Sequence, residues 1–387
     1  MSELILEESI VSVSWLKAHL NASNLVILDA TIPKVTHTSS LDTEAFQFPK
    51  ARFFDIKKKF SDPDGPFPNT CPSEAQFTRE AQNIGINKNS AIVVYDDNGI
   101  YSSARAWWLF KAFGHDNVAV LNGGLPEWKQ AHFPLEKKHP INYSTGNFIA
   151  KYQEGYLLFF NDIQVLKNNS KYKILDARSA NRFHGLAPEP REGLRSGTIP
   201  HSKNLPFENL LSDYRLLSKE HLEQKFATIT DQKEQLIFSC GSGITACVLA
   251  LGADVIGYKN IAVYDGSWTE YGSLITNENT MHWTKDELIA YTLLYAANSN
   301  FIEDNKEKNV IIERVDMQTF QNIHDEFDAD NDYQSIQKIV QGVKDHQFNT
   351  NDINALLAEI KMLFFADGEF DVTERIMYRS LKHILEQ

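Results

Sequence analysis

The 387-residue sequence is poor in cysteine, with only Cys71, Cys240 and Cys247. So few thiols in so long a chain argue against a disulfide framework and favour a reducing, cytoplasmic compartment. No apolar run approaches the length of a membrane span, and residues 1–15 lack the basic and apolar regions of a secretory signal. Basic residues are also scarce, because 38 Lys and Arg stand against 51 Asp and Glu. The net charge of -13 argues against nucleic acid or an anionic membrane as a partner.

Proline and glycine nearly vanish from the end of the chain. The last of the 13 prolines is Pro206, and only Gly342 and Gly368 of the 19 glycines follow residue 284. Residues 285–387 hold 10 Lys and Arg against 20 Asp and Glu, so this segment carries most of the net charge. The change in composition predicts a separate, acidic, all-helical domain there. Apolar residues at helical spacing over 353–364 predict one of its amphipathic helices.

Two acidic clusters in this segment resemble parts of a calcium-binding EF-hand loop. They are Asp328–Asp332 and Asp367–Asp371. Neither is followed by the glutamate that an EF-hand loop carries at its twelfth position. We therefore expect a solvated acidic face or a helix cap, and no metal.

The first 284 residues contain an internal repeat. Ile27–Ala30 recurs as Ile174–Ala177 and Val118–Gly123 recurs as Ile261–Gly266, at offsets of 147 and 143 residues. Two similar offsets in the same order indicate a duplicated unit of about 140 residues. In each unit short apolar strands alternate with helical segments, which predicts α/β units around a mostly parallel sheet. The predicted strands are Val26–Leu28, Ala91–Tyr95, Val118–Leu121, Ile174–Leu175, Leu236–Phe238 and Ile261–Tyr264.

A cysteine follows one of these strands and precedes a helix. Leu236–Phe238 leads to Cys240, then to a glycine-rich turn and to a helical run over Thr245–Leu251. Backbone N–H groups and the positive end of the helix converge at such a place and favour a thiolate. A buried structural cysteine is the alternative, and it is the expected fate of Cys247. Cys71 lies in a Pro-rich loop with no basic residue beside it to lower its pKa, so we expect a bystander thiol there, with an exposed redox-sensitive thiol as the alternative.

The residues after Cys240 restrict the kind of nucleophile. A cysteine phosphatase has an arginine where this chain has Ala246, and the G-x-S-x-G pattern of serine hydrolases is absent. Cys240–Ala246, CGSGITA, resembles the active-site loop of 3-mercaptopyruvate sulfurtransferases of the rhodanese superfamily. This resemblance implies that Cys240 forms a persulfide held by the loop residues Gly241, Ser242, Gly243, Ile244 and Thr245.

The resemblance extends over residues 1–284 and implies two tandem rhodanese-like domains, an inactive one at 1–140 and a catalytic one at 141–284. The first has VYDDNGIYSSA at Val94–Ala104 and no cysteine. Its Asp96 is expected in a turn with solvated side chains. In the domain at 285–387, the motif FFADGEFDVTE at Phe364–Glu374 resembles the short helix-turn of tellurite-resistance TerB-like domains.

Arginines of the second unit complete the expected site. The segment Leu175–Phe207 resembles the family, in which arginines at the positions of Arg182 and Arg191 hold the carboxylate and carbonyl of the substrate. A planar guanidinium suits a 2-oxo acid, although either arginine alone could simply pair with a nearby carboxylate. The resemblance also implies that Tyr101 borders the site from the first unit.

The chain departs from the mercaptopyruvate enzymes at two positions. Lys57 and Asn69 stand where that family tends to have an acidic residue and a histidine, which with the loop serine form a proposed relay. The sequence therefore gives Ser242 no His-activated role.

Together these features predict a sulfurtransferase that moves sulfur from 3-mercaptopyruvate through a Cys240 persulfide. The partners implied are a small sulfur donor and a thiol, cyanide or thioredoxin acceptor, with no metal or organic cofactor and an unknown partner for residues 285–387. Thiosulfate as the main donor is one alternative. A non-catalytic persulfide carrier or scaffold is another.

Overall fold

The computed structural model describes residues 3–32, 46–139, 142–230, 234–275, 283–298, 311, 314–330, 332–365, 370 and 372–385. It has two compact units, Met1–Ser273 and Leu274–Gln387. No helix in the described ranges is long and apolar enough to cross a membrane. The division of the first unit at residue 140 and the start of the helical domain at residue 285 stay predictions.

The first repeat alternates strands and helices, as its sequence pattern predicts. Its elements are β1 (Ile10–Val11), α1 (Val13–His19), β2 (Leu25–Asp29), β3 (Phe46–Gln47), β4 (Arg52–Phe53), α2 (Glu74–Asn83), β5 (Ala91–Tyr95), α3 (Ser103–Ala112), β6 (Val118–Leu121), α4 (Gly124–Gln130) and β7 (Glu136–Lys137).

The second repeat has the same five sheet strands in the same order along the chain, with additional short elements between them. Its elements are β8 (Leu157–Leu158), α5 (Phe160–Leu166), β9 (Tyr172–Asp176), α6 (Ala180–Phe183), β10 (Lys203–Asn204), a 3₁₀ helix (Phe207–Leu210), β11 (Leu211–Ser212), β12 (Arg215–Leu216), α7 (Lys219–Ala227), β13 (Gln235–Ser239), α8 (Ala246–Val255), β14 (Ile261–Tyr264) and α9 (Ser267–Leu274).

Each repeat builds one five-stranded parallel sheet, and the two sheets correspond strand for strand. The orders are β1-β6-β5-β2-β4 and β8-β14-β13-β9-β10. The central strands are buried along almost their whole length, because helices cover both faces of a parallel sheet. Helix α3 of the first repeat packs against α8 of the second, and the two helices share one apolar core. The predicted fold class, two tandem α/β domains with a helical segment after them, is confirmed.

The second unit contains helices with their own apolar core. Thr284 and Asn349 cap two of them through capping boxes with Glu287 and Asp352. The helix predicted over 353–364 is confirmed. The helices are α10 (Lys285–Ala297), α11 (Met317–Ala329), α12 (Asp332–Asp345), α13 (Thr350–Phe364) and α14 (Val372–Leu385).

The first acidic cluster of this unit ties helices together; Asp328 and Asp332 are exposed as predicted, whereas the side chain of Asp330 is largely buried. The carboxylate of Asp330 accepts hydrogen bonds from the Tyr291 hydroxyl and the buried Lys338 ammonium, each at 2.5 Å. Asp332 accepts one from Tyr295 at 2.7 Å. Within the described residues no group of His, Cys, Asp and Glu could hold a metal ion. The second cluster, in Asp367–Asp371, lies largely outside the described residues.

Candidate active site

Cys240 is the first residue after β13 and only 2% of its surface is exposed. A cavity of about 610 Å³ opens beside it. Residues of both repeats line the cavity, so neither repeat forms the site alone. The predicted site residues at the cavity wall are Tyr101, Arg182, Arg191, Cys240, Gly241, Ser242, Ile244 and Thr245.

The loop after Cys240 needs glycine at position 243. Gly243 has φ +73°, and a Cβ atom there would stand 2.6 Å from the carbonyl oxygen of Asp265. Both the backbone conformation and the space therefore exclude a side chain. The loop runs directly into α8, which begins at Ala246, and the N–H groups of a helix's first turn have no acceptor within the helix. These donors lie at the start of α8, where an anion is stabilised.

The first repeat shows what this loop geometry holds. Asp96 occupies the position in the first repeat that Cys240 occupies in the second. The residue before Asp96, Tyr95, pairs with Asp29 across the sheet, and the residue before Cys240, Ser239, pairs with Asp176 in the same register. The Asp96 carboxylate accepts four backbone N–H groups and one hydroxyl at 2.6–3.0 Å. Asp96 is fully buried, so the prediction of a solvated turn is wrong at this residue. Converging N–H groups hold its charge where the second repeat has the cysteine. The donors are the N–H groups of Asn98, Tyr101, Ser102 and Ser103 and the Ser103 hydroxyl.

Ser267 supports the loop from α9, and the sequence reasoning missed it. Its Oγ accepts hydrogen bonds from the N–H groups of Cys240 and Gly243, both at 3.1 Å, and lies 3.9 Å from Cys240 Sγ. Ser267 has φ +51°, which is unfavourable for a residue with a Cβ. At the matching place of the first repeat stands Gly124, also with φ +51°. Comparing the repeated motifs NGGL and DGSW would have shown that a serine occupies a glycine position.

Arg182 is held beneath the loop by a buried carboxylate. Glu189 accepts from Arg182 Nη2 at 2.5 Å and from Arg178 Nη1 at 2.7 Å, and its side chain is 1% exposed. Arg178 is itself paired with Asp176. A Cβ atom on Gly241 would lie 3.0 Å from Arg182 Nη2. The Arg182 guanidinium therefore lies beside Gly241 while Glu189 fixes its orientation.

Arg191 is connected to the same loop through Thr269. Its Nη1 donates to Thr269 Oγ1 at 2.6 Å, and the Thr269 hydroxyl and N–H both donate to the carbonyl of Gly241. Burial lowers the pKa of Arg191, whereas the nearby Cys240 opposes that shift. Thr269 is a second positioning residue that the sequence reasoning missed, because it is separated from Arg191 by 78 residues.

Tyr101, Lys57 and Asn69 are among the residues of the first repeat that line the cavity. The ring of half-buried Tyr101 lies 5.8 Å from that of Phe207. Lys57 lines the cavity as an exposed cation. Asn69 Nδ2 donates a hydrogen bond to Ser242 Oγ at 3.0 Å. The absent acidic residue and histidine are therefore replaced by an ammonium and by an amide that contacts the loop serine.

The other two cysteines are poor nucleophiles, as the sequence predicts. Burial raises the pKa of the Cys71 thiol to about 12, and Asp265 adds to that shift. Burial also raises the pKa of the Cys247 thiol to about 12. Neither thiol forms a thiolate readily at neutral pH.

Comparisons with known proteins agree with this geometry. The chain matches the model of the rhodanese-like domain over residues 12–131 and 161–274. It is 35% identical to 3-mercaptopyruvate sulfurtransferase of Homo sapiens over 275 residues, which are 68% of this chain and 91% of that protein. It is 34% identical over 305 residues to thiosulfate/3-mercaptopyruvate sulfurtransferase 1, mitochondrial, of Arabidopsis thaliana, covering 70% and 78%.

A solved structure gives the same result. The crystal structure of SseA from Escherichia coli, described with the rhodanese fold of 3-mercaptopyruvate sulfotransferases, aligns with a TM-score of 0.61 and 29% identity. The alignment covers 67% of this chain and 99% of that one. Two matched sheets and a cysteine loop define a tandem rhodanese-like protein, and the chain belongs to the rhodanese-like family. The relatives just described are sulfurtransferases.

Proposed function

We propose that this protein is a sulfurtransferase that takes sulfur from 3-mercaptopyruvate and passes it to a thiol or to cyanide through a persulfide on Cys240. The strongest support for this proposal comes from the comparison of the two repeats. Cys240 occupies the loop position at which the first repeat holds the buried Asp96 carboxylate with five hydrogen-bond donors. A loop of this shape stabilises an anion, and a persulfide anion is the charge it would hold on Cys240.

The first half-reaction forms the persulfide. The Cys240 thiolate attacks the thiol sulfur of mercaptopyruvate, a sulfur–sulfur bond forms, and the carbon–sulfur bond breaks. The electron pair of the broken bond leaves with pyruvate as its enolate, which then takes a proton. Arg182 and Arg191 would hold the carboxylate and carbonyl, and their position in the cavity wall beside the cysteine loop supports these roles.

The second half-reaction returns the enzyme to its thiolate. Cyanide or an acceptor thiolate attacks the outer sulfur, so the sulfur–sulfur bond breaks and Cys240 keeps the electron pair. The products are thiocyanate or a new persulfide. Thioredoxin is an acceptor of the thiol class. All three cysteines are free, which is typical of proteins in a reducing compartment. We propose that this compartment is the cytoplasm.

Steady-state assays with cyanide test the function directly. We expect wild-type protein to turn over mercaptopyruvate with a higher kcat/KM than thiosulfate, and a Cys240→Ser variant to lose turnover with both. Cys247→Ser is the matched control, because that thiol is fully buried and should be dispensable. Full turnover by Cys240→Ser would end the scheme.

Thiosulfate as the main donor is the second candidate. Lys57 adds a cation to the cavity wall, which favours a dianionic donor. A higher kcat/KM for thiosulfate in the same assay would select this candidate. A persulfide that forms on Cys240 and persists when small acceptors are added would instead indicate a sulfur carrier.

A further inference from the structure

Asn69 is fixed from two sides at the cavity wall. Its backbone has φ +65°, a conformation that asparagine tolerates better than most residues with a Cβ. Its carbonyl oxygen accepts from Arg105 Nη2 at 2.9 Å, while its side-chain Nδ2 donates to Ser242 Oγ at 3.0 Å. The backbone is thus held on one side and the amide is directed at the loop serine on the other.

The group that holds Asn69 is a buried ion pair joining the two repeats. Arg105 Nη2 lies 2.6 Å from Asp265 Oδ1, and both side chains have no exposed surface. The other oxygen of Asp265 accepts from the N–H group of Cys71 at 2.7 Å. The ion pair therefore binds the segment from Asn69 to Cys71 at both of its ends. These contacts fix the position of Asn69 relative to Ser242.

The direction of the hydrogen bond determines what Ser242 can do. A carboxamide neither takes up nor releases a proton at neutral pH. Because Nδ2 donates to Ser242 Oγ, the hydroxyl hydrogen of Ser242 remains available for an acceptor in the cavity. Ser242 lines the cavity together with four cationic side chains and two carboxylates, so cations are in excess and favour an anionic ligand there. The cations are Lys57, Arg178, Arg182 and Arg191, and the carboxylates are Asp62 and Glu208.

We propose that Asn69 is a positioning residue that sets Ser242 to donate a hydrogen bond to an anionic oxygen of the sulfur donor, and that the pair of Asn69 and Ser242 supplies no general base. The inference rests on the proposed function. It has a consequence for donor choice, because neither side chain of this pair can carry the proton that mercaptopyruvate loses from sulfur and gains on carbon. Thiosulfate needs no such transfer: the Cys240 thiolate attacks its outer sulfur, and the electron pair of the broken sulfur–sulfur bond leaves with sulfite.

The test replaces Asn69 with a group that can act as a base. Histidine also tolerates positive φ, so Asn69→His should fold. A base at this place contributes about 10²–10⁴-fold where proton transfer limits the rate. We expect the ratio of kcat/KM for mercaptopyruvate over thiosulfate to rise by about tenfold or more at pH 8. The mercaptopyruvate profile should gain an inflection near pH ~6.5 that wild type lacks.

Asn69→Gly is the matched control, because glycine keeps the backbone conformation and removes only the amide. It should weaken the binding of pyruvate, measured by calorimetry, about as much as Ser242→Ala, and the double variant should be no weaker than either single one. Equal pyruvate affinity in wild type and both single variants would overturn the proposal. So would a donor ratio that Asn69→His leaves unchanged, or a wild-type inflection near pH ~6.5 that survives in Asn69→Gly.

A separate measurement tests the proposed function itself. If intact mass shows that Cys240 of wild type accepts sulfur from neither donor, the sulfurtransferase assignment fails. The pyruvate-binding comparison then still decides whether Asn69 and Ser242 act together on an anionic ligand.

Discussion

Replacing Ser267 with glycine sets two opposed effects against each other. Ser267 has φ +51°, so glycine relieves backbone strain worth about 1–2 kcal/mol. The change also removes the hydroxyl that accepts the N–H groups of Cys240 and Gly243 at 3.1 Å. Each buried N–H left without a partner costs about 1–3 kcal/mol. We therefore expect a net loss of about 2–3 kcal/mol in the free energy of unfolding.

Urea denaturation followed by tryptophan fluorescence measures this loss. Ser267→Ala is the matched control: it removes the same hydroxyl but keeps the strain, so it should be about 1–2 kcal/mol less stable than Ser267→Gly. Alkylation of Cys240 by iodoacetamide should slow in both variants, because the loop loses its support. A Ser267→Gly protein as stable and as reactive as wild type would show that the Ser267 hydroxyl does not support the loop.

Two further predictions concern carboxyl groups. Glu189→Gln should raise KM for the donor about tenfold with a smaller effect on kcat, because Arg182 loses the buried charge that orients it; an unchanged KM would contradict this role. Burial, with the charges of Asp96 and Asp29, raises the pKa of Asp97 to about 6. Between about pH 4 and 6 the folded protein therefore binds more protons at Asp97 than the unfolded chain does, so stability falls as pH rises. Asp97→Asn should stabilise the protein at pH 7 and have little effect at pH 4, which urea denaturation at the two pH values would measure.

The sequence was informative wherever a signal was local or repeated. Runs such as Ala91–Tyr95 and Leu236–Phe238 are apolar because helices cover both faces of a parallel sheet, so the strands could be read directly. The loop at Cys240 was recognisable because glycine at position 243 is required by its φ and by the nearby backbone. These features depend on neighbours in the chain.

What the sequence did not predict depends on contacts between distant residues. The ion pair of Arg105 and Asp265 joins positions 160 residues apart, and nothing in either local sequence indicates the other. Asp96 follows a pattern typical of exposed turns, but folding directs four backbone N–H groups at its carboxylate and buries it. The amide of Asn69 is a candidate positioning group only because it contacts Ser242, which is 173 residues away in the sequence.

The most direct test of the account is the intact mass of the protein after mixing with 3-mercaptopyruvate. We predict a gain of one sulfur atom per chain that maps to Cys240, is released as thiocyanate when cyanide is added, and is absent from Cys240→Ser. The same gain in Cys240→Ser, or no gain in wild type while pyruvate is still produced, would contradict a persulfide on Cys240.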